Sequence, residues 1–473
     1  MTAAQDDAAA TGGRAVRPQG AAALVGGAIV FLSMSDTVFV FRAAGMTFRW
    51  AQFALLLVAI HWAWSMRRAG LAAMAGLSPA AAGCALALGA SFGVTAALSA
   101  EPLPTALRAA WFLANFGICA ASVAWAERRG VLARSLFLGV AGVAGVVWID
   151  AVAIHWFGLE PVLGGAQQSY LFEGVPTLRP QAFHYEPSYA ACALALASAA
   201  TLCPGAAGRR ASVLVTGLVL SAVVLTSSRA GILAIVIAAL TATALLAFAR
   251  GGGRHLATVG LSWAAAALFL CVFAAAPGGN WYLRAIAGPF GVARTVERVS
   301  QIADDGSGRS LTERIDSLPP EASVDPEEAR RRDIGRSEIG RLSSYLRGLG
   351  RWRAAPWFGH GAARERVVVR ERLLAQSEMS AWVGLLAEFG AFGSALYVAL
   401  FGAVAWARRP AADSGGRAPA RILAAVLLAH SAVSFQLGPS FVRLDYCLLT
   451  LGVLAAYGAA GGSAQVTRPS TDV

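Results

Sequence analysis

The sequence predicts an all-α, polytopic integral membrane protein, and three observations predict it. First, about a dozen long apolar segments follow one another along the 473 residues. A run of ~20 apolar residues crosses a hydrocarbon core as a helix, because lipid offers its backbone no outside hydrogen-bond partner. Second, the chain is 57% hydrophobic and only 14% charged, with a mean hydropathy of +0.58, whereas soluble domains carry about a quarter charged residues. Third, one stretch, 277–379, breaks the pattern with 17 Arg and 14 Asp or Glu. Such a stretch cannot lie in lipid and predicts one large helical loop on a membrane face.

The elements follow in order. Residues 1–20, Ala/Gly-rich and polar, read as a disordered tail, and the apolar run behind them lacks a cleavage signal and reads as a retained first span. The twelve expected spans are 21–41, 50–66, 79–99, 106–126, 131–156, 187–203, 211–227, 229–249, 256–276, 380–406, 421–440 and 442–460, with 461–473 as a second tail. The domain plan is therefore nine spans over 21–276, the loop 277–379, and three spans over 380–460.

The arginines set the orientation. All 39 basic residues are Arg, a usage that reflects either GC-rich coding or a need for bidentate phosphate contacts, which Lys cannot make. When the connections are assigned alternately to two sides, one side collects Arg14/Arg17, Arg67/Arg68, Arg128/Arg129/Arg134, Arg209/Arg210, Arg250/Arg254 and Arg408/Arg409/Arg417/Arg421. The other side holds Arg108, Arg179, Arg229 and Arg443 singly, with Arg42 and Arg49 as its one pair. Short cytoplasmic loops are the arginine-rich ones. Both ends are therefore expected in the cytoplasm, and the large loop outside, in the periplasm of a bacterial inner membrane. Arginines at helix ends are explained by topology, so nucleic acid is not an expected partner. The six Cys, at 84, 119, 192, 203, 271 and 447, show no ligand spacing and no disulfide framework.

Within the loop, Ser310-Leu-Thr-Glu313 and Asp325-Pro326-Glu-Glu328 are helix-start signals. From Pro326 to about Arg353, apolar residues at three- and four-residue spacing predict an amphipathic helix carrying Arg341, Arg347, Arg351 and Arg353. Its arginines either meet solvent and head groups or reach into the bundle toward a phosphorylated substrate.

Three constellations carry candidate chemistry, all on the outer side. The first is Arg179-Pro-Gln-Ala-Phe-His184-Tyr-Glu186-Pro-Ser188. Glu186 with Pro187 makes a good helix start, which leaves Arg179 and His184 unexplained. The second is Thr226-Ser227-Ser228-Arg229-Ala-Gly231, a tight turn that holds Arg229 at the edge of hydrocarbon. An arginine there either snorkels to the surface or faces a polar cavity and an anion; at a span's centre it costs ~2.5–3.5 kcal/mol on insertion scales. The third runs from Arg341 through Pro356-Trp-Phe-Gly359-His360-Gly361 and Glu378 to Glu388-Phe-Gly390-Ala-Phe-Gly393. Its Gly/Pro cluster predicts a turn where backbone approaches something closely. Glu388, inside a span, either finds a donor in the bundle or binds substrate. Asp36, Asp150, His61, His155 and His430 read as interhelical hydrogen-bond partners.

In this order the three constellations resemble the bacterial O-antigen ligase and O-antigen or exopolysaccharide polymerase superfamily. "RPQAFHYEPSYAA" is similar to its R-x-x-G-x-F-x-E-P-S segment and "TSSRAG" to its T-x-S-R-[GA]-[GA] turn. "RLSSYLRGLGRWRAAPWFGHGA" is similar to its R-x-x-x-W…P-x-x-G-x-G stretch, and "AEFGAFGSALY" to the E-x-G-x-x-G that opens the next span. The likeness covers roughly residues 170–400. Ala182 stands where Gly is usual, Ser343–Leu346 supply no Trp, and Met379-Ser380 stands where lipid A ligases carry a His-Asn pair.

The resemblance implies inverting glycosyl transfer from an undecaprenyl-diphosphate-linked oligosaccharide at the periplasmic face. The missing ligase histidine and the E-P-S segment favour a polymerase over a ligase. Catalytic roles fall on Glu186 as general base and on Arg229 and Arg341 at the diphosphate. Arg179, His184, Ser228, His360, Glu378 and Glu388 are substrate-binding candidates. No cofactor is expected, and with no Asp-x-Asp motif in the outer loops the transfer is expected to be metal-independent. The glycan acceptor and the bilayer are the other expected partners, with a chain-length regulator as a further candidate. A transporter or flippase is the reading from another class; such proteins place charges at mid-membrane on broken helices in repeated halves, a symmetry this sequence lacks.

Overall fold

In a computed structural model of the chain, residues 16–35, 40–43, 46–65, 77–172, 175–184, 186–203, 205–247, 252–287, 345, 348–361, 366–369, 372–375, 381–407, 421, 423–424, 427 and 443–462 are described. Their order is α1 (Val16–Ser33), β1 (Val40–Ala43), β2 (Met46–Arg49), α2 (Trp50–Ser65), α3 (Pro79–Leu98), α4 (Pro102–Arg128), α5 (Leu132–Phe157), β3 (Gly165–Phe172) and β4 (Val175–Ala182). There follow α6 (Pro187–Thr201), α7 (Arg209–Leu225), α8 (Arg229–Ala247), α9 (Gly252–Phe273), α10 (Pro277–Ala287), β5 (Arg366–Val369), β6 (Arg372–Ala375), α11 (Ala381–Ala407) and α12 (Leu444–Gly462).

Six helices among the described residues, α3, α4, α5, α8, α9 and α11, are long and apolar enough to cross a membrane. The exterior agrees with lipid: Leu57, Trp64, Leu86, Leu98, Leu240, Leu268 and Trp406 all point outward. An apolar skin of this kind would be unstable in water. The expected span 421–440, apart from residues 421, 423–424 and 427, and the loop residues 288–344 lie outside the described residues.

The helix starts follow from sequence. Ser78 caps α3 by accepting the Ala81 N–H, and Pro79 takes the first helical position, where no N–H is needed. Small residues set the packing. Gly26 and Gly27 of α1 lie against Ser135 and Leu138 of α5, and Gly139 lies against Val30. That close approach is how helices gain dispersion contact where hydrophobic driving force is absent. The alanine-rich α6 is central, buried on nearly every face, and touches α5, α7, α8, α12 and β4.

The architecture is predominantly α-helical, as expected, with three antiparallel two-stranded hairpins, β1–β2, β3–β4 and β5–β6, added to it among the described residues. The third lies within the loop read as helical; of the amphipathic helix expected to end near Arg353, the described portion 348–354 is helical. The first two hairpins fill connections that the arginine pattern assigned to the outer side, and both sit at the same end of the bundle as the candidate residues.

Candidate functional site

β4 pairs with β3 so that Arg179 stands opposite Gln167. From there Arg179 reaches the end of α7: its Nε donates to the Thr226 carbonyl (3.1 Å) and a terminal N–H to the Ser227 carbonyl (3.3 Å). The Leu225 carbonyl accepts the Tyr282 hydroxyl from α10 (2.7 Å), and burial pushes that phenol well above its ordinary pKa. Two carbonyls at the helix end and one just beyond it are thereby satisfied, and the cation suits the helix's negative pole. Ser227 takes a positive φ of 48°, and the Ser228 hydroxyl then accepts the Gly231 N–H, starting α8. Ser228 is thus a buried helix cap. Arg229, at the first position of α8, is exposed.

Beyond β4 the chain turns sharply. Ala182 adopts a φ of 50°, and the His184 N–H donates to the Gln181 carbonyl. Glu186 occupies the N-cap of α6 in extended conformation, its carbonyl accepting the Tyr189 and Ala190 N–H groups. Its carboxylate caps no backbone N–H; it accepts the Ser188 hydroxyl at 3.0 Å. Half-buried and held at one oxygen, it can take a proton from a bound hydroxyl group.

His184 is wholly buried, with Nε2 3.7 Å from Asp445 Oδ2. Asp445, also wholly buried in the first turn of α12, gathers two arginines. Arg443 donates through Nε to one oxygen (3.1 Å) and through a terminal N–H to the other (2.8 Å), the bidentate geometry that favours Arg over Lys. Arg49, from the end of β2, approaches at 3.4 Å and donates to the Ser33 carbonyl at 2.6 Å. The Arg443 guanidinium lies 4.5 Å from the Tyr189 ring centre and 5.4 Å from that of Tyr446.

The third constellation forms its own centre between α3, α4 and α11. α11 is broken at Gly390 (φ 67°, ψ −174°), and the loop 355–361 docks into the break. The His360 and Gly361 N–H groups donate to the Ala387 and Glu388 carbonyls, and the Ala391 and Phe392 N–H groups donate to Pro356 and Trp357. Thr95 and Ser99 hydroxyls bond the Phe358 and His360 carbonyls. The expected close backbone approach is there: a Cβ on Gly359 would meet the Glu388 carbonyl, and one on Gly390 the backbone of Trp357. Glu388 faces the bundle, its Oε2 2.8 Å from Arg108 Nε. The contact is an ion pair between α4 and α11. His360 is half-buried, and its Nε2 makes no hydrogen bond among the described residues.

Arg341 and Glu378, with Asp36 and His430, lie outside the described residues. Asp150 departs from its interhelical reading and instead accepts the N–H groups of Val162, Leu163 and Gly164, each at 2.8 Å. His61 is exposed rather than paired between helices, and His155 stacks on Tyr282 at 3.8 Å. Sequence reasoning passed over Arg49, Arg108, Arg443 and Asp445 as candidates. A usable signal existed: Arg49, Arg108 and Arg443 are among the few arginines in the connections that the alternating assignment left arginine-poor.

An apolar cleft lined by Leu220, Ile235, Ala238, Val259 and Trp263 lies away from these centres, toward the other end of the bundle. No protein-family profile matches the chain, and no curated protein matches it.

Proposed function

We propose that this chain is a membrane glycosyltransferase that polymerises polysaccharide repeat units carried on undecaprenyl diphosphate, with twelve spans and its site on the periplasmic face. One observation supports this reading above the others. The segments that resemble the polymerase and ligase superfamily dock on one another in two pairs: Arg179 with the 226–229 turn, and the loop 355–361 with the break in α11.

The chemistry asks for two things at that end. As the acceptor hydroxyl oxygen bonds to the anomeric carbon, the bond to the diphosphate breaks and its electron pair leaves with the diphosphate. Fixed positive charge lowers that barrier. The acceptor proton passes to a nearby base, and Glu186 takes this role, with its backbone fixed by α6 and one carboxylate oxygen bound to Ser188. Arg179, whose donors serve backbone carbonyls, acts as a positioning residue for the turn, and Arg229, exposed at the start of α8, offers its charge at the surface.

The test is product length in cells carrying Glu186→Gln. We expect the protein to accumulate normally while polymer disappears and single repeat units remain attached to their acceptor. Near-normal chain length in that variant reduces Glu186 to a helix start. Long chains stranded on the carrier lipid would identify a ligase instead.

A further inference from the structure

We propose that Arg49, Arg443 and His184, gathered around Asp445, bind the diphosphate of the polyprenyl carrier. The proposal rests on the glycosyl-transfer reading and gives the diphosphate to residues other than those the motifs suggest. Guanidiniums from opposite ends of the chain meet on one carboxylate at the outer end of the bundle. Both side chains keep a path to the surface, at 11% and 13% exposure, while Asp445 has none. The carboxylate thus holds two like charges side by side from beneath, and an anion arriving from outside meets both.

His184 points the same way. It is fully buried, 3.7 Å from Asp445, and neither ring nitrogen makes a hydrogen bond among the described residues. A buried imidazole in that condition is costly unless a ligand completes it. The Tyr189 and Tyr446 rings flank Arg443 and fix the plane of its fork, so little order remains to be gained on binding. His184 also lies two residues before Glu186, so the same stretch of chain, entering α6, supplies both residues. The chemistry recognised is a diphosphate ester, and the carrier lipid is its source.

The experiment measures binding of undecaprenyl diphosphate to the full chain in nanodiscs, with undecaprenol, inorganic pyrophosphate and phosphatidylglycerol as competitors. We expect saturable binding that undecaprenol does not displace and that pyrophosphate displaces weakly. Arg443→Lys and His184→Gln should each weaken it roughly tenfold or more, the loss expected for a hydrogen bond to a charged group. Thermal unfolding in the same nanodiscs identifies the folded variants; if Arg443→Lys does not fold, Arg49→Gln replaces it. Wild-type affinity in the folded variants overturns this site and leaves the polymerase reading standing. Displacement by phosphatidylglycerol as effective as by the diphosphate overturns the carrier assignment in favour of a general head-group site. Absence of binding by the wild type removes both readings.

Discussion

Two buried carboxylates at the same end of the bundle are satisfied in opposite ways. Asp150, near the end of α5, takes three backbone N–H groups from the turn 12–14 residues downstream. Asp445, at the start of α12, takes side chains: Arg443 two residues before it and Arg49 from the far end of the sequence, with His184, from the chain entering α6, 3.7 Å away. Neutral N–H donors fix a turn and leave the carboxylate nothing further to do. Titratable and cationic side chains, drawn from three separate connections, can exchange partners when a ligand arrives. Asp150 reads as architecture and Asp445 as the anchor of a site.

Substitution should separate them. Asp445→Ala leaves two arginines around a buried vacancy, and removing one partner of a buried ion pair costs about 3–5 kcal/mol. We expect the largest fall in unfolding temperature, with polymer lost. Asp445→Asn should recover much of the fold, since both arginines keep an acceptor, yet still fail to make polymer. Asp150→Ala should cost about 2–3 kcal/mol through its stranded N–H groups, while the protein that does fold makes polymer of normal length. Unfolding temperature and chain length, measured on the same preparations, check both. The comparison breaks if folded Asp150→Ala makes no polymer or folded Asp445→Asn makes it normally.

A second contrast sets the Asp445 cluster against the Arg108–Glu388 pair. The cluster is assembled from side chains, whereas the pair sits in backbone that has been opened and re-satisfied by a docked loop. Broken helices are tolerated at membrane depth only where other protein completes the hydrogen bonds. Gly390 carries that arrangement, because its φ of 67° with ψ near 180° is a region open essentially to glycine. Gly390→Ala should cost about 1–3 kcal/mol from the dihedrals alone, and more from the contact with Trp357. It should also release the loop, seen as faster proteolysis at 355–361 at a temperature where the bundle remains folded. An alanine variant with unchanged cleavage would mean that the loop does not depend on the break.

The contrasts also show what sequence could and could not reveal. Hydropathy placed α2, α3 and α5 to within about a residue or two, since a span must be apolar along its whole length. The hairpins β1–β2 and β3–β4 escaped because their connections carry no Asn-Gly turn, the strands of the first have only four residues each, and those of the second show no long alternation. Asp445 escaped for a different reason. It lies inside an apolar run, and its second arginine is 396 positions away. Local patterns report which residue is anomalous, but its partner is fixed only by packing. The motif-bearing segments were legible; the charge that joins their end of the bundle was not.

The smallest effect concerns Ala182, where the resembled family carries glycine. Its φ of 50° costs an L-residue about 1–2 kcal/mol. Replacing it with glycine removes that cost, but forfeits a buried methyl worth about 0.8 kcal/mol and adds about 0.5–1 kcal/mol of unfolded-state entropy. These terms nearly cancel, so Ala182→Gly should leave stability within about 0.5 kcal/mol of wild type. Ala191→Gly, in the buried interior of α6, has no strain to release and should cost about 1–2 kcal/mol. Comparing the two melting curves isolates the strain at the turn that delivers His184 and Glu186. Equal losses at both positions would mean that alanine sits at 182 without strain, and that the turn owes its shape to the contacts around His184 instead.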